Sequence, residues 1–414
     1  MAALEFFRLK TRDEVLALFA RFAPTAAETV PLAEAWGRVL ARDLAAPESL
    51  PAFPRAGMDG YAVRAQDTFG ASPGLPQYLE LVGEVAMGEA PTLEVGPGQA
   101  ARLPTGGMLP AGADAVLMVE YAAELPDGTV EVRRPVAPGE NVVQPGEDVR
   151  AGEVLLPAGR RLRPQDLGLL AALGVTEVPV HRRPRVAVLS SGNEIVPLSA
   201  SPGPGQVRDA NAYLTLAQVE EAGGVAAYRG IIPDDPAAMA EALSEALPEA
   251  DLLLISGGSS VGTRDLTLMA IRALPGAEIL AHGVAIRPGK PTILAVVEGK
   301  PLLGLPGHPA SAAIVLKVLG QPLLARLSGV QESTPAWGGR VTARLSRNLA
   351  GATGREDFIR VRLRREGETL WADPLLGSSA LLSPLVKSDG LVSLPLGVEG
   401  LFRGELVTVE LFSG

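Results

Sequence analysis

The chain has 414 residues, with 47 Gly, 36 Pro, three His, no Cys and a formal net charge of −10. A single core rarely grows past about 250–300 residues, so several domains are expected. The lack of Cys excludes disulfides, thiolate-held zinc, iron–sulfur ligation and Cys nucleophiles, and the acidic balance argues against non-specific nucleic-acid binding, which needs a basic face.

The first ten residues carry Glu5 and Arg8 and lack the apolar core of a signal peptide. No run of about 18 apolar residues follows. A cytoplasmic protein with no membrane partner is the expectation. Thr11 and Glu14 form a capping-box pattern ahead of Val15, Leu18, Phe19 and Phe22, which recur at helical spacing. A second short helix is expected over 32–40. From 45 to about 141, apolar runs at 78–82, 115–119 and 130–132 alternate with Pro/Gly turns, as in small twisted antiparallel strands. Pro164 opens a helix that Gly174 ends.

From Pro184 the pattern is α/β. Strands are expected at 186–189, Val225–Ile232, 252–255, Ile293–Val297 and 301–305, the last two joined by a turn at Glu298-Gly299-Lys300. Asn211 caps a helix through Val219, Asp234-Asp235-Pro236 opens another, and Pro309 opens an apolar helix to Leu319 that Gly320 and Pro322 should break or kink. Such alternation implies a doubly wound, mostly parallel sheet. After Ser328 the chain returns to β. In 359–364, Ile, Val and Leu alternate with Arg, which reads as one buried and one wet strand face.

Ligands of open α/β sheets bind beyond the strand C-termini. Three loops fall there: Ser190-Ser191-Gly192-Asn193-Glu194, then Ser256-Gly257-Gly258-Ser259-Ser260-Val261-Gly262, then Gly304-Leu305-Pro306-Gly307-His308-Pro309-Ala310-Ser311. Gly lets backbone N–H groups approach an anion, and helix N-termini favour negative charge. Together they describe a cradle for a phosphate-bearing ligand. The stretch from Gly283 to Lys290 is no P-loop: its spacing is one residue too long, and Pro291 stands at the Ser/Thr position. Arg287-Pro288-Gly289-Lys290-Pro291 reads instead as a Pro-locked turn presenting two cations. Acids gather nearby: Glu194, Asp209, Asp234, Asp235 and Asp265, with Asp59 and Asp148 from earlier in the chain. Carboxylates beside phosphate loops suit Mg²⁺, although Asp209, Asp235 and Asp265 are also open to a plain capping role.

Pro54-Arg55-Ala56-Gly57-Met58-Asp59-Gly60-Tyr61, Pro104-Thr105-Gly106, Gly146-Glu147-Asp148, Ser256-Gly257-Gly258, Arg287-Pro288-Gly289-Lys290-Pro291 and Gly304-Leu305-Pro306-Gly307 occur in order. Across essentially its whole length the chain resembles the molybdopterin molybdenumtransferases, the MoeA and gephyrin E-domain family. The resemblance implies four domains: a discontinuous linker domain (1–45 and 142–180), a strand-rich domain (46–141), a MogA-like α/β molybdopterin-binding domain (181–327) and a C-terminal β-barrel-like domain (328–414). It implies insertion of molybdate into adenylylated molybdopterin, with Mg²⁺ and release of AMP, in a homodimer with shared active sites that can receive substrate from the upstream adenylyltransferase. By motif, catalytic roles fall on Asp59, Thr105, Asp148, Arg287 and Ser378, with Asp59 and Thr105 reaching from the other subunit. Substrate contacts fall on Ser191, Gly192, Gly257, Gly258, Ser259, Lys290, Gly304, Pro306, Gly307 and His308, and magnesium on Glu194 and Asp265. Arg287 stands where many members have Lys, Gly283 where Lys is often found, Asn193 for Asp and His308 for Asn. This altered set leaves molybdate against tungstate open. Adenylyltransferase activity and a non-catalytic scaffold are the competing readings.

Overall fold

The structure is a computed structural model that describes residues 9–257, 261–331 and 339–412, with the backbone alone of 261–265. It folds as two compact units. One comprises 1–42, 158–164 and 177–414, the other 43–157 and 165–176.

In the larger unit the first helix, Arg12–Leu18, starts at the expected capping box. The Thr11 hydroxyl accepts the Glu14 N–H at 3.1 Å and the Glu14 carboxylate accepts the Thr11 N–H at 2.7 Å. The helix expected over 32–40 is a single 3-10 turn, Leu32–Glu34. Gly37 takes φ +72°, and Val39 and Leu40 then bridge to Arg161 and Val180, so distant backbone partners outcompete the local helix.

The central sheet has six strands in the order Val225–Ile232, Arg185–Ser191, Leu252–Gly257, Lys300–Pro306, Ile293–Val297, Glu278–His282. The first three junctions are parallel and the last two antiparallel, the final hairpin turning on Glu298 (φ 49°) and Gly299 (φ 78°). Side chains alternate between two helical layers, as the strand period of two requires. Val186, Val188, Leu252, Leu254 and Leu303 pack with Phe19, Val219 and Ile314. Ala187, Leu189, Leu253 and Ile255 pack with Met239, Leu243 and Ile271 on the other face. Asp235 caps the Pro236–Ala246 helix as expected. The Ala210–Glu221 helix is capped by Asp209 and not by Asn211, which lies inside it and turns its amide elsewhere.

The helix from Pro309 neither stops nor breaks at Gly320. It runs as α-helix Pro309–Val315, π-helix Leu316–Gly320 and α-helix Gln321–Leu327. The wider π turn sets Pro322 in the first turn of the next α segment, where a missing N–H costs little. This 19-residue helix is long and apolar enough by composition to cross a membrane, although Lys317, Gln321 and Arg326 interrupt its apolar run. However, 78% of it is buried inside the molecule, so its apolarity serves the core.

Beyond it, Glu356–Glu366, Thr369–Pro374, Arg340–Leu345, Leu406–Leu411 and Gly390–Leu394 pair in sequence. Gly390–Leu394 pairs back to Glu356–Glu366, closing a five-stranded barrel around Leu345, Val361, Ala372 and Val409. Arg362 and Arg364 are exposed as expected. Arg360 is not: it is 6% exposed and donates to the Gly377 carbonyl at 3.2 Å, because the 375–380 loop folds over that face.

The smaller unit centres on a sheet ordered Ala115–Met118, Gly60–Val63, Gln99–Leu103, Gln77–Glu84, Thr129–Val132, Ala122–Glu124. The antiparallel expectation holds except between Gln77–Glu84 and Gln99–Leu103, which run parallel. The long connection between them returns the chain to the same sheet end, which parallel pairing requires. The Pro164–Ala172 helix ends before Gly174 (φ +69°).

Candidate functional site

A cleft opens where the end of one central strand meets the barrel. Ile286–Arg287 pairs in parallel with Glu356 and Asp357 of the barrel. The Arg287 guanidinium donates to Asp357 at 2.5 Å, and the same carboxylate oxygen accepts the Ala352 N–H at 2.9 Å. Asp357 is 1% exposed, so this pair anchors the turn in the barrel core. Gly289 follows with φ +121°, and a Cβ there would meet Val315 at 2.6 Å. Only glycine permits that approach, which leaves Lys290 at the exposed tip. Its carbonyl accepts the Val284 N–H at 2.9 Å, and among the described residues its ammonium makes no hydrogen bond or ion pair.

The facing wall is Pro306-Gly307-His308. His308 occupies the cap position of the Pro309 helix but makes no capping bond. Its Nδ1 lies 3.0 Å from Ser379 Oγ, and the Ala310 N–H donates to the Ser379 carbonyl at 3.1 Å. Asn211 secures the loop from behind, donating Nδ2–H to the Gly307 carbonyl at 2.8 Å. The open cleft has a volume of about 260 Å³ and is lined by Arg287, Lys290, His308, Ser311, Arg355 and Ser379 along with Pro and Gly residues. Three fixed cations and no carboxylate line it, which suits a small, strongly charged anion.

The strand-end loops lie on the same sheet. A Cβ on Gly257 would sit 1.9 Å from Ser191 Oγ, so the glycine is obligatory, and that hydroxyl is buried without a partner among the described residues. A Cβ on Gly192 would meet the Glu194 carboxylate at 2.7 Å. Asn193 and Asp234 exchange backbone-to-side-chain bonds at 3.2 and 3.4 Å, while Asp234 Oδ1 is buried with no partner. Asp209, 3% exposed, accepts the Tyr228 hydroxyl at 2.8 Å. Burial first, and then that carboxylate, push the Tyr228 phenol well up.

Several expected residues fall elsewhere. Gly304 is not in a loop but inside strand Lys300–Pro306, opposite Ile255 and Ile293, where its lack of a side chain serves packing. Gly258 and Ser259 lie outside the described residues. So does the side chain of Asp265, but its backbone lies a full turn inside the Val261–Ala273 helix, which removes the capping alternative. Ser378 Oγ accepts the Ala380 N–H at 3.2 Å, and its neighbour Ser379 is the serine lining the cavity. Arg355, Ser379 and Asn211 were not singled out for this cleft by the sequence. Only Ser311, in the quoted third loop region, carried a local signal.

Asp59, Thr105 and Asp148 belong to the smaller unit. Pairing of Gly60 with Leu103 brings the Asp59 and Thr105 corners together. Asp59 Oδ1 accepts both the hydroxyl and the N–H of Thr105 at 2.7 Å, and these two bonds hold its carboxyl below the usual carboxylate range. Asp148 is exposed, its N–H donating to the Leu50 carbonyl at 3.1 Å. Among the described residues no three His, Asp or Glu side chains converge as a metal cage.

A doubly wound sheet with glycine-cut strand ends, a cationic cleft and an attached closed barrel defines a multidomain α/β-plus-β protein. Three family models then cover most of the chain: MoeA N-terminal region (domain I and II) over 10–174, probable molybdopterin binding domain over 187–326, and MoeA C-terminal region (domain IV) over 342–412. The molybdopterin molybdenumtransferase of Synechococcus elongatus is 36% identical over 392 residues, 94% of this chain and 95% of that protein. The Bacillus subtilis enzyme of the same name is 34% identical over 390 residues, 93% and 89%. A solved MoeA from Pyrococcus horikoshii superposes with a TM-score of 0.85 at 33% identity, covering 98% of this chain and 100% of that one. The chain belongs to the MoeA family, the molybdopterin molybdenumtransferases of molybdenum cofactor biosynthesis.

Proposed function

We propose that this enzyme inserts molybdate into adenylylated molybdopterin at its dithiolate and releases AMP. The observation that carries the reading is the cleft of Arg287, Lys290 and Arg355, cationic on three sides and free of lining carboxylates. An oxyanion held there is neutralised by the three cations and hydrogen-bonded by His308, Ser311 and Ser379. Ser191, Gly192 and Gly257, with Gly258 and Ser259, take the phosphates of the nucleotide-bearing substrate at the strand ends, supported by the orphaned Ser191 hydroxyl. Ser378, Asp148, Asp59 and Thr105 complete the catalytic set, the last two from the partner of a homodimer. The upstream adenylyltransferase is the source of the substrate. The four-part division at 1–45 with 142–180, 46–141, 181–327 and 328–414 belongs to the same proposal.

The donor set around Glu194 fits magnesium. It is all oxygen, and Asp234 Oδ1 is a buried acceptor with no donor. Without a three-ligand cage, the ion would be held by Glu194 and Asp265 together with substrate oxygens, the usual mode for magnesium. When bound, it neutralises phosphoanhydride oxygens. The chain's own residues orient: Thr105 fixes the Asp59 carboxylate, and Asp357 fixes Arg287.

The test is AMP release from adenylylated molybdopterin with magnesium and either molybdate or tungstate. Release that depends on the oxyanion is expected, and release indifferent to it would leave the adenylyltransferase-like or scaffold reading. Asp265→Asn should melt like wild type by circular dichroism but lose most oxyanion-dependent release at limiting magnesium, with partial recovery at raised magnesium. Near-wild-type turnover would move the metal role to Glu194.

A further inference from the structure

A second cavity of about 1040 Å³ lies within the larger unit, and the reading above makes no use of it. Leu16 and Phe19 of the first helix and Val318 and Pro322 of the long helix give it apolar walls. Its described lining carries five Lys or Arg side chains against two carboxylates, Glu221 and Glu410. Most of these cations are committed. Arg12 pairs with Glu356 at 3.2 Å, Arg340 with Glu410 at 2.8 Å, and Arg326 donates to the Phe22 carbonyl at 2.9 Å. Arg161 donates to the Gly37 carbonyl at 3.0 Å, and burial, with Arg183 adding to it, lowers its pKa to about 10.

Lys317 is the exception. It is 9% exposed, and it makes no hydrogen bond or ion pair with any described residue. It stands among Leu316, Val318, Leu319 and Gly320 of the π segment. Its stem is buried while it lines the cavity, so its ammonium offers an unmatched positive charge to whatever enters there. π turns are over-represented at functional sites. A lysine is a compact point charge with three rotatable donors, which matches phosphate oxygens, and a cavity of this size accepts a nucleotide-sized body.

We propose that this cavity is a binding site for a small organic phosphate, with Lys317 receiving the phosphate and the Leu16–Phe19 wall receiving its apolar body. The site is separate from the Arg287–Lys290 cleft. Ser311, in the cleft, and Lys317, in the cavity, stand on one continuous helix about 9 Å apart along its axis.

The probe is 1-naphthyl phosphate, titrated calorimetrically into the full chain, with neutral 1-naphthol and inorganic phosphate as companions. Saturable binding of the ester is expected, weakened about tenfold or more by Lys317→Met and unchanged by Lys290→Ala, with naphthol indifferent to both. Lys317→Met should also leave the melting temperature of the ligand-free protein close to that of wild type, whereas a lysine kept for structure would lower it. Gln321→Trp, which fills the same cavity from the next helical turn, should block the ester and covers the case in which Lys317→Met does not fold. Absence of saturable binding overturns the proposal. So does binding that survives both cavity variants, or binding lost with Lys290→Ala alone.

Discussion

The cationic cleft of the larger unit draws its charges from segments far apart in the chain, and two of them, the Lys290 ammonium and the Arg355 guanidinium, have no partner among the described residues. The Asp59 corner of the smaller unit has the opposite arrangement. One residue, Thr105, satisfies its carboxylate twice, and the two sit at the ends of adjacent strands. The first region keeps a charge available by leaving it unmet. The second keeps a charge ionised by meeting it locally. The same contrast recurs inside the Arg287–Lys290 turn, where Arg287 is tied into the barrel core and the Lys290 ammonium is tied to nothing described. Two cations three residues apart therefore stand on different footings, one structural as well as ligand-facing, the other ligand-facing alone.

Arg287→Met tests that contrast most severely. It strands the buried Asp357 carboxylate, and losing one partner of a buried pair costs about 3 kcal/mol or more, which chemical denaturation would read. A loss near zero would place Arg287 on the same footing as Lys290. Lys290→Ala should leave denaturation unchanged within about 0.5 kcal/mol while weakening molybdate binding by about 1.5–3 kcal/mol in calorimetry. A stability loss comparable to that of Arg287→Met would erase the difference between them. Asn211→Ala removes the bond that secures the Gly307 carbonyl, at about 1 kcal/mol of stability. It should also loosen anion binding at the cleft by a few fold, seen in the same two measurements.

The smallest effect belongs to the other region. In Thr105→Val the hydroxyl bond is lost and the backbone bond stays, so the Asp59 midpoint in an NMR titration should rise part of the way toward its ordinary 3.8. Because the folded carboxyl is depressed, its contribution is complete above the unfolded value and is lost as pH falls through the folded one. The variant should therefore be slightly less stable than wild type at pH 7, and that difference should fade as pH falls through the folded midpoint. An unmoved midpoint would mean that the backbone N–H alone sets the ionisation.

What could be read from the residues and what could not divides along the same line. The Thr11–Glu14 cap, the Glu298-Gly299 hairpin and the buried run at 252–255 are local patterns, and the structure reproduces them. Gly289 and Lys290 were legible because a Pro-locked turn carries its geometry in its own sequence. Arg355, Ser379 and Asn211 were not: Asn211 meets Gly307 across 96 residues and His308 meets Ser379 across 71, and no spacing encodes such pairings. Arg360 misled for the same reason, since strict alternation along a strand says nothing of a loop that later folds over its wet face.

The π turn at Leu316–Gly320 has a consequence for the reading frame of the helix surface. A π turn holds one residue more than an α turn, and each residue of an α-helix advances the side-chain direction by about 100°. Everything from Gln321 to Leu327 is thus rotated by one residue's worth relative to an uninterrupted helix, so that Leu323, Leu324 and Leu327 reach the core. Deleting a single residue among the five would restore ordinary winding and leave those leucines facing the core, whereas rewinding all five as α-helix would swing them sideways together. Substitutions that keep the π turn would act one side chain at a time, whereas any change that rewinds it at the same length would act on the whole final helix at once.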